Sequence, residues 1–212
     1  MTITKLGHCC LLVEHEGIRL LTDPGVFTVA AQQDIQGLDA ILITHEHADH
    51  LHIESLTALL AKNPDAVVVT NVGVGALLDA QGVQYVRIGD GERIEVKGIL
   101  IEGFGREHAR IYAEMGLVEN TGFMVAGRFY FPGDSFHLPG RAVDVLALPV
   151  AGPWMKIADA VEFAKTVKPR IAFGVHDGMI QDFFITYPEG VMKRFVPEVE
   201  YVTLALGEAR EF

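Results

Sequence analysis

The sequence predicts a layered α/β domain. From residue 41 onward, short apolar runs bounded by turn residues alternate with stretches at helical spacing. Half of the 212 residues are hydrophobic, enough for a substantial buried core, and no repeat, linker or low-complexity segment interrupts the chain. One domain spanning 1–212 is the expectation for that length.

Residues 2–6, 9–14 and 18–22 read as strands. Glu14-His15-Glu16-Gly17 forms a hairpin turn, and Thr22-Asp23-Pro24-Gly25 closes the block with turn formers. Residues 26–39 carry Gln32, Gln33, Asp34 and Gln36 at no clean period and read as loop, where a lid over a site would sit. The run 41–44 is a buried strand. Residues 52–62 place Ile53, Leu56, Leu59 and Leu60 at helical spacing and stop at Asn63-Pro64.

Residues 66–70 read as a strand, 74–80 as a short helix ending near Gly82, and 84–88 as a further strand. The turn Gly89-Asp90-Gly91-Glu92 leads into strands at 93–96 and 99–104, and 121–126 and 128–131 pair around Gly127. A strand at 144–150, a helix at 157–167, a strand at 170–175 and a helix at 189–195 complete the series. The aromatic stretch Phe183-Phe184-Ile185-Thr186-Tyr187 reads first as core packing, with pocket lining as the alternative.

Composition narrows the function. A net charge of −11 without any cluster of Lys and Arg excludes a surface built for nucleic acid. No apolar run reaches the roughly 18 residues of a membrane span, and the first residues lack a signal-peptide layout, so a cytoplasmic protein is expected. The only cysteines, Cys9 and Cys10, are adjacent and cannot bridge distant segments. They are expected as thiols packed in a strand in a reducing compartment, with a ligand or redox pair as the alternative that the absent metal spacing disfavours. The expected partner is a small-molecule substrate, and a homo-oligomer is left open.

The chemistry concentrates where the run 41–44 ends in His45-Glu46-His47-Ala48-Asp49-His50. In extended chain, His45 and His47 leave on the same side and can converge on one ion. Asp49 and His50 follow on a turning chain and can face a second. Neutral imidazoles with a hard carboxylate suit zinc, and also manganese or iron. His52 falls at a helix start and reads as solvated.

The pattern His-x-His-x-Asp-His after an apolar strand resembles the signature of the metallo-β-lactamase fold superfamily. Gly7-His8-Cys9-Cys10 and Leu20-Leu21-Thr22-Asp23-Pro24 resemble its branch of ascorbate-6-phosphate lactonase-like proteins and the phospholipase D type that releases N-acylethanolamines. The resemblance implies a four-layer αββα sandwich and a metal-dependent hydrolase with two divalent ions. It also implies a site near His8 and Asp23, as supporting groups or as an ordinary packed His and turn Asp.

A third imidazole would leave one open position on the first ion, and His108 is the right type after the right strand, although Arg106-Glu107 before it departs from the family's usual flank. Asp134, at the end of an apolar strand, resembles the family's bridging aspartate, and His176 its final ligand. The implied set is His45, His47 and His108 on one ion, Asp49, His50 and His176 on the other, and Asp134 between them. Asp49 would also orient the nucleophile. His137 is a candidate proton donor to the leaving group.

Hydrolysis of an ester, lactone or phosphodiester bond is the expected reaction. The alternatives are a mononuclear iron dioxygenase and a metal-binding protein without turnover.

Overall fold

A computed structural model describes all 212 residues. The chain runs β1 (Thr2–Gly7), β2 (Cys10–His15), β3 (Ile18–Thr22), a 3-10 turn (Val26–Thr28), α1 (Val29–Gln32), β4 (Ala40–Leu42), α2 (Ile53–Lys62), β5 (Val67–Thr70), α3 (Val72–Gln81) and β6 (Val86–Arg87). Then come β7 (Arg93–Val96), β8 (Ile99–Phe104), β9 (Gly122–Val125), β10 (Phe129–Phe131), β11 (Val145–Pro149), α4 (Ile157–Val167) and β12 (Ile171–Val175). A 3-10 turn (Asp182–Phe184), α5 (Tyr187–Phe195), β13 (Glu200–Val202) and β14 (Ala209–Glu211) close it.

The strands form two seven-stranded sheets, ordered β14-β1-β2-β3-β4-β5-β6 and β13-β12-β11-β10-β9-β8-β7. In the first, β14 to β3 are antiparallel and β3 to β6 parallel. In the second, β13 to β10 are parallel and β10 to β7 antiparallel.

Alternation along the strands explains the layers. Leu11, Val13 and Leu42 point into a core shared with Ile101, Phe123 and Phe173 of the other sheet. Their neighbours Cys10, Leu12 and Ile41 face outward onto Leu56 and Leu59 of α2 and Val74 and Leu78 of α3. On the far side, Tyr130, Leu146 and Leu148 pack against Ala160, Phe163 and Ala164 of α4 and Met192 of α5. Strands buried on both faces read as continuous apolar runs, and the helices cover them, giving the expected αββα sandwich. No helix is long and apolar enough to cross a membrane.

Several local expectations are corrected. Residues 26–32 are not loop but a 3-10 turn followed by α1, a helix too short to show a period. Cys9 lies in the turn before β2 and not in a strand, while both cysteines are buried and free as expected. Strand 84–88 shrinks to β6, and β13 and β14 were not anticipated, because three residues carry no alternation. The aromatic stretch is not core: Phe183 is 87% exposed, and Phe184 and Tyr187 are also on the surface.

Candidate metal centre

Every expected site residue, His137 included, lies in a connection beyond a strand end. After β4, Ile43 N–H still bonds to Val69 O at 3.0 Å, and the chain then leaves the sheet. The turn after β3 packs onto the departing segment: Val26 N–H bonds to Ala48 O at 2.9 Å and His52 N–H to Pro24 O at 3.1 Å. Gly25 permits this, since a Cβ there would fall 1.8 Å from the Asp49 carbonyl oxygen. Asp23, His8 and His176 adopt positive φ of 35°, 48° and 59°, conformations that side chains other than glycine rarely take and that cluster at functional sites.

Two groups of donor atoms result, each with all members within 4.8 Å of one another: His45, His47, His108 and Asp134, and His8, Asp49, His50 and His176. Asp134 reaches both. Its Oδ2 is 3.3 Å from His108 Nε2 and 2.9 Å from His176 Nε2, and its Oδ1 is 3.2 Å from His50 Nε2. These distances are short, yet His50 Nε2, His108 Nε2, His176 Nε2 and Asp134 Oδ1 are buried without a hydrogen-bond partner. Ring nitrogens and a carboxylate oxygen converging on one space without hydrogen bonds are what a cation site requires, and the His and Asp donor set suits divalent ions.

The surroundings fix which nitrogen faces that space. Asp23 is fully buried and accepts from Thr44 N at 2.8 Å, Thr44 Oγ1 at 2.7 Å and His50 Nδ1 at 2.6 Å. That leaves His50 Nε2 free. Because the Thr44 hydroxyl gives its proton to Asp23, its oxygen accepts from His45 Nδ1 at 3.0 Å, and His45 Nε2 is left to face His47 Nδ1 at 3.1 Å. His108 Nδ1 donates to Ala109 O at 2.5 Å. Carboxylate and carbonyl partners of this kind orient metal-binding imidazoles.

His8 behaves differently. Gly178 N–H donates to its Nδ1 at 3.1 Å, so Nε2 carries the proton and donates to Asp49 Oδ2 at 3.1 Å. His8 therefore braces Asp49 and offers no lone pair.

Electrostatics follow from burial and proximity. Burial and the neighbouring His50 lower His45 well below the usual imidazole value. Burial opposes protonation of His176, but Asp134 and Asp49 outweigh it and push His176 up to about 9. His50 is raised well above its ordinary value: Asp134 and Asp23 overcome burial. Burial alone would raise Asp49 and Asp134, but His176 and His8 around Asp49, and His50 with His108 around Asp134, hold both carboxylates well down.

Two residues near the centre were not anticipated in that place. Cys9 is fully buried with its Sγ within 4.8 Å of donor atoms of His50 and Asp134. Trp154 stands edge-on to His108 and His176 at centroid distances of 5.8 and 5.6 Å. Cys9 belongs to the Gly7-His8-Cys9-Cys10 motif but was expected as a packed thiol, and nothing in the local pattern marked Trp154. His137 lies apart from both donor groups. It is exposed, with Nε2 4.0 Å from Asp90 Oδ1, on the wall of a cleft of about 520 Å³ that His108, Ser135, Arg106 and Arg110 also line. His52 is not part of the centre and pairs with Ser55 and Glu54 at the start of α2.

Residues 2–176 match the family model of the beta-lactamase superfamily domain. Among curated proteins, a Mycobacterium tuberculosis protein is 37% identical over 185 residues, covering 85% of each chain. A UPF0173 metal-dependent hydrolase of Methanocaldococcus jannaschii is 27% identical over 99% of each chain. An N-acyl-phosphatidylethanolamine-hydrolyzing phospholipase D of Caenorhabditis elegans is 26% identical over 91% of this chain and 66% of that one. Among solved structures, a metallo hydrolase from Ignicoccus hospitalis superposes with a TM-score of 0.75 at 20% identity, covering 100% of this chain and 98% of that one.

Proposed function

The chain belongs to the beta-lactamase superfamily and is a metal-dependent hydrolase, and from that premise we propose that it uses two divalent ions, zinc by preference, to hydrolyse an ester, lactone or phosphodiester bond of a small molecule. His45, His47 and His108 would hold one ion and Asp49, His50 and His176 the other, with Asp134 placed to serve both. Bound there, such ions supply Lewis acidity and bring the pKa of water from 15.7 to about 7. The observation that carries the reading is the set of buried His50, His108, His176 and Asp134 atoms that face one another without hydrogen bonds.

The remaining steps belong to the chain's own residues. Asp23 holds the proton on His50 Nδ1 and so keeps Nε2 directed inward. His8 holds Asp49 Oδ2, the oxygen that also faces His50 Nε2 at 3.8 Å and His176 Nε2 at 3.5 Å, and so positions that carboxylate to ligate and to orient the attacking water. His137, across the cleft, gives a proton to the leaving group of a substrate long enough to reach it. The substrate class draws support from the phospholipase relative only at the level of bond type. The two free cysteines agree with a cytoplasmic location.

The experiment is a panel of lactones, carboxylic esters and phosphodiesters assayed with zinc-, manganese- and iron-loaded protein. Turnover of at least one bond class, reduced by a factor of about 10² or more in Asp49→Asn, is expected. Metal uptake without turnover of any of them would leave a binding protein, and oxygen consumption by an iron-loaded form would move the assignment to redox chemistry.

A further inference from the structure

Six buried side-chain nitrogen or oxygen atoms lack a hydrogen-bond partner: His50 Nε2, His108 Nε2, Asp134 Oδ1, both ring nitrogens of His176, and Trp154 Nε1. Five belong to residues of the metal centre. The sixth is the indole N–H of Trp154, whose ring lies beside two of those imidazoles. Trp154 is only 8% exposed. Its ring stands edge-on to one imidazole from each donor group, with interplanar angles of 74° to His108 and 80° to His176. Phe136 backs it at 5.3 Å between centroids.

The position is built. A Cβ on Gly152 would lie 2.7 Å from Nε1 and 3.0 Å from Cε2, so the glycine lets the indole lie against the backbone of the loop before α4. An indole nitrogen donates and cannot accept, so it cannot ligate a cation. A buried donor left unmade costs its full desolvation, and folded proteins keep few of them.

We propose that Trp154 Nε1–H is a substrate-contacting donor to an acceptor oxygen on the scissile group. The chemistry it recognises is a carbonyl, carboxylate or phosphoryl oxygen, and it disfavours an ammonium. A donor fixed beside two cations strengthens as negative charge develops on that oxygen. This rests on the dinuclear reading of the site.

The chain has a single tryptophan, so the zinc-loaded, ¹⁵N-labelled wild-type protein gives one indole N–H resonance. Titration with inorganic phosphate, and separately with acetate, should move that proton downfield and slow its exchange with water. A resonance that stays in place with both anions overturns the proposal. In parallel, Trp154→Phe keeps the ring and removes the donor. Its affinity for phosphate, read by calorimetry, should fall about 10- to 100-fold with zinc content unchanged, and an unchanged affinity contradicts the assignment. Gly152→Ala, which pushes the indole away, should reproduce the loss. Because these readouts use anion binding and not turnover, a failed ester screen would sink the hydrolytic substrate class while the anion titration still decides the role of Trp154.

Discussion

Asp23 organises the site from behind the metal-facing groups. It is fully buried, and burial raises its carboxyl, yet it accepts three hydrogen bonds, two from Thr44 and one from His50. Asp23→Asn replaces an acceptor with a donor facing one of those three donors. We expect metal affinity to fall about 10- to 100-fold, measured by competition with a chromogenic chelator, while the fold persists. Gly25 supports the same turn from its backbone. Gly25→Ala puts a methyl carbon on the Asp49 carbonyl and should cost roughly 3 kcal/mol or more, read from urea unfolding.

Residue by residue, the site was legible where chemistry is written as spacing. His45, His47, Asp49 and His50 sit within six positions, and the structure gathers them with His108, Asp134 and His176, which stand far apart in sequence but at corresponding strand ends. Trp154 was illegible because a single aromatic in a turn has no period, and only its unpaired N–H singles it out. The exposed Phe183 was misread for a related reason: an apolar residue in a run says nothing about which way a 3-10 turn presents it.

Among the elements, the parallel strands β10, β11 and β12 share one design. Their far ends lead to Asp134, the Trp154 loop and His176, and their near ends are tied by a single carboxylate. Asp144, just before β11, accepts from Arg128 Nε at 3.0 Å, before β10, and from Arg170 Nε at 2.6 Å, before β12. The bond to Arg170 holds the Asp144 carboxyl below its usual value, with Arg128 adding to it against burial. A depressed carboxylate contributes stability that is fully present above its unfolded pKa of about 3.9 and is lost as pH falls through the folded value. Asp144→Asn should therefore lower the urea midpoint at pH 7 and flatten its decline between pH 5 and pH 3, and a decline as steep as the wild type's would contradict the pairing. The larger elements were legible because they show alternation or a helical period. α1, β13 and β14 span three or four residues, exist through pairing and packing, and leave no such trace.

At the scale of the molecule, metal, protons and folding are coupled. In the metal-free chain His50 and His176 hold protons above the ordinary imidazole range, His176 to about 9. An incoming cation must displace them, so apparent affinity should climb with pH from 7 to about 9, and binding at pH 7 should release protons. Calorimetry in buffers of different ionisation enthalpy measures that release, and a buffer-independent heat would contradict it. Ions that bind only the folded chain also stabilise it, by about 2.7 kcal/mol at a free concentration 100 times Kd. Chelation should lower Tm accordingly.

The central claim is that seven side chains from across the chain form one dinuclear centre with Asp134 shared between the ions. The most direct test is elemental analysis of protein purified without added metal and then reconstituted, beside Asp134→Ala treated identically. Two divalent ions per chain in the wild type, with loss of one or both in the variant, is the predicted result. No bound metal after reconstitution, or a content unchanged by removing Asp134, would contradict it.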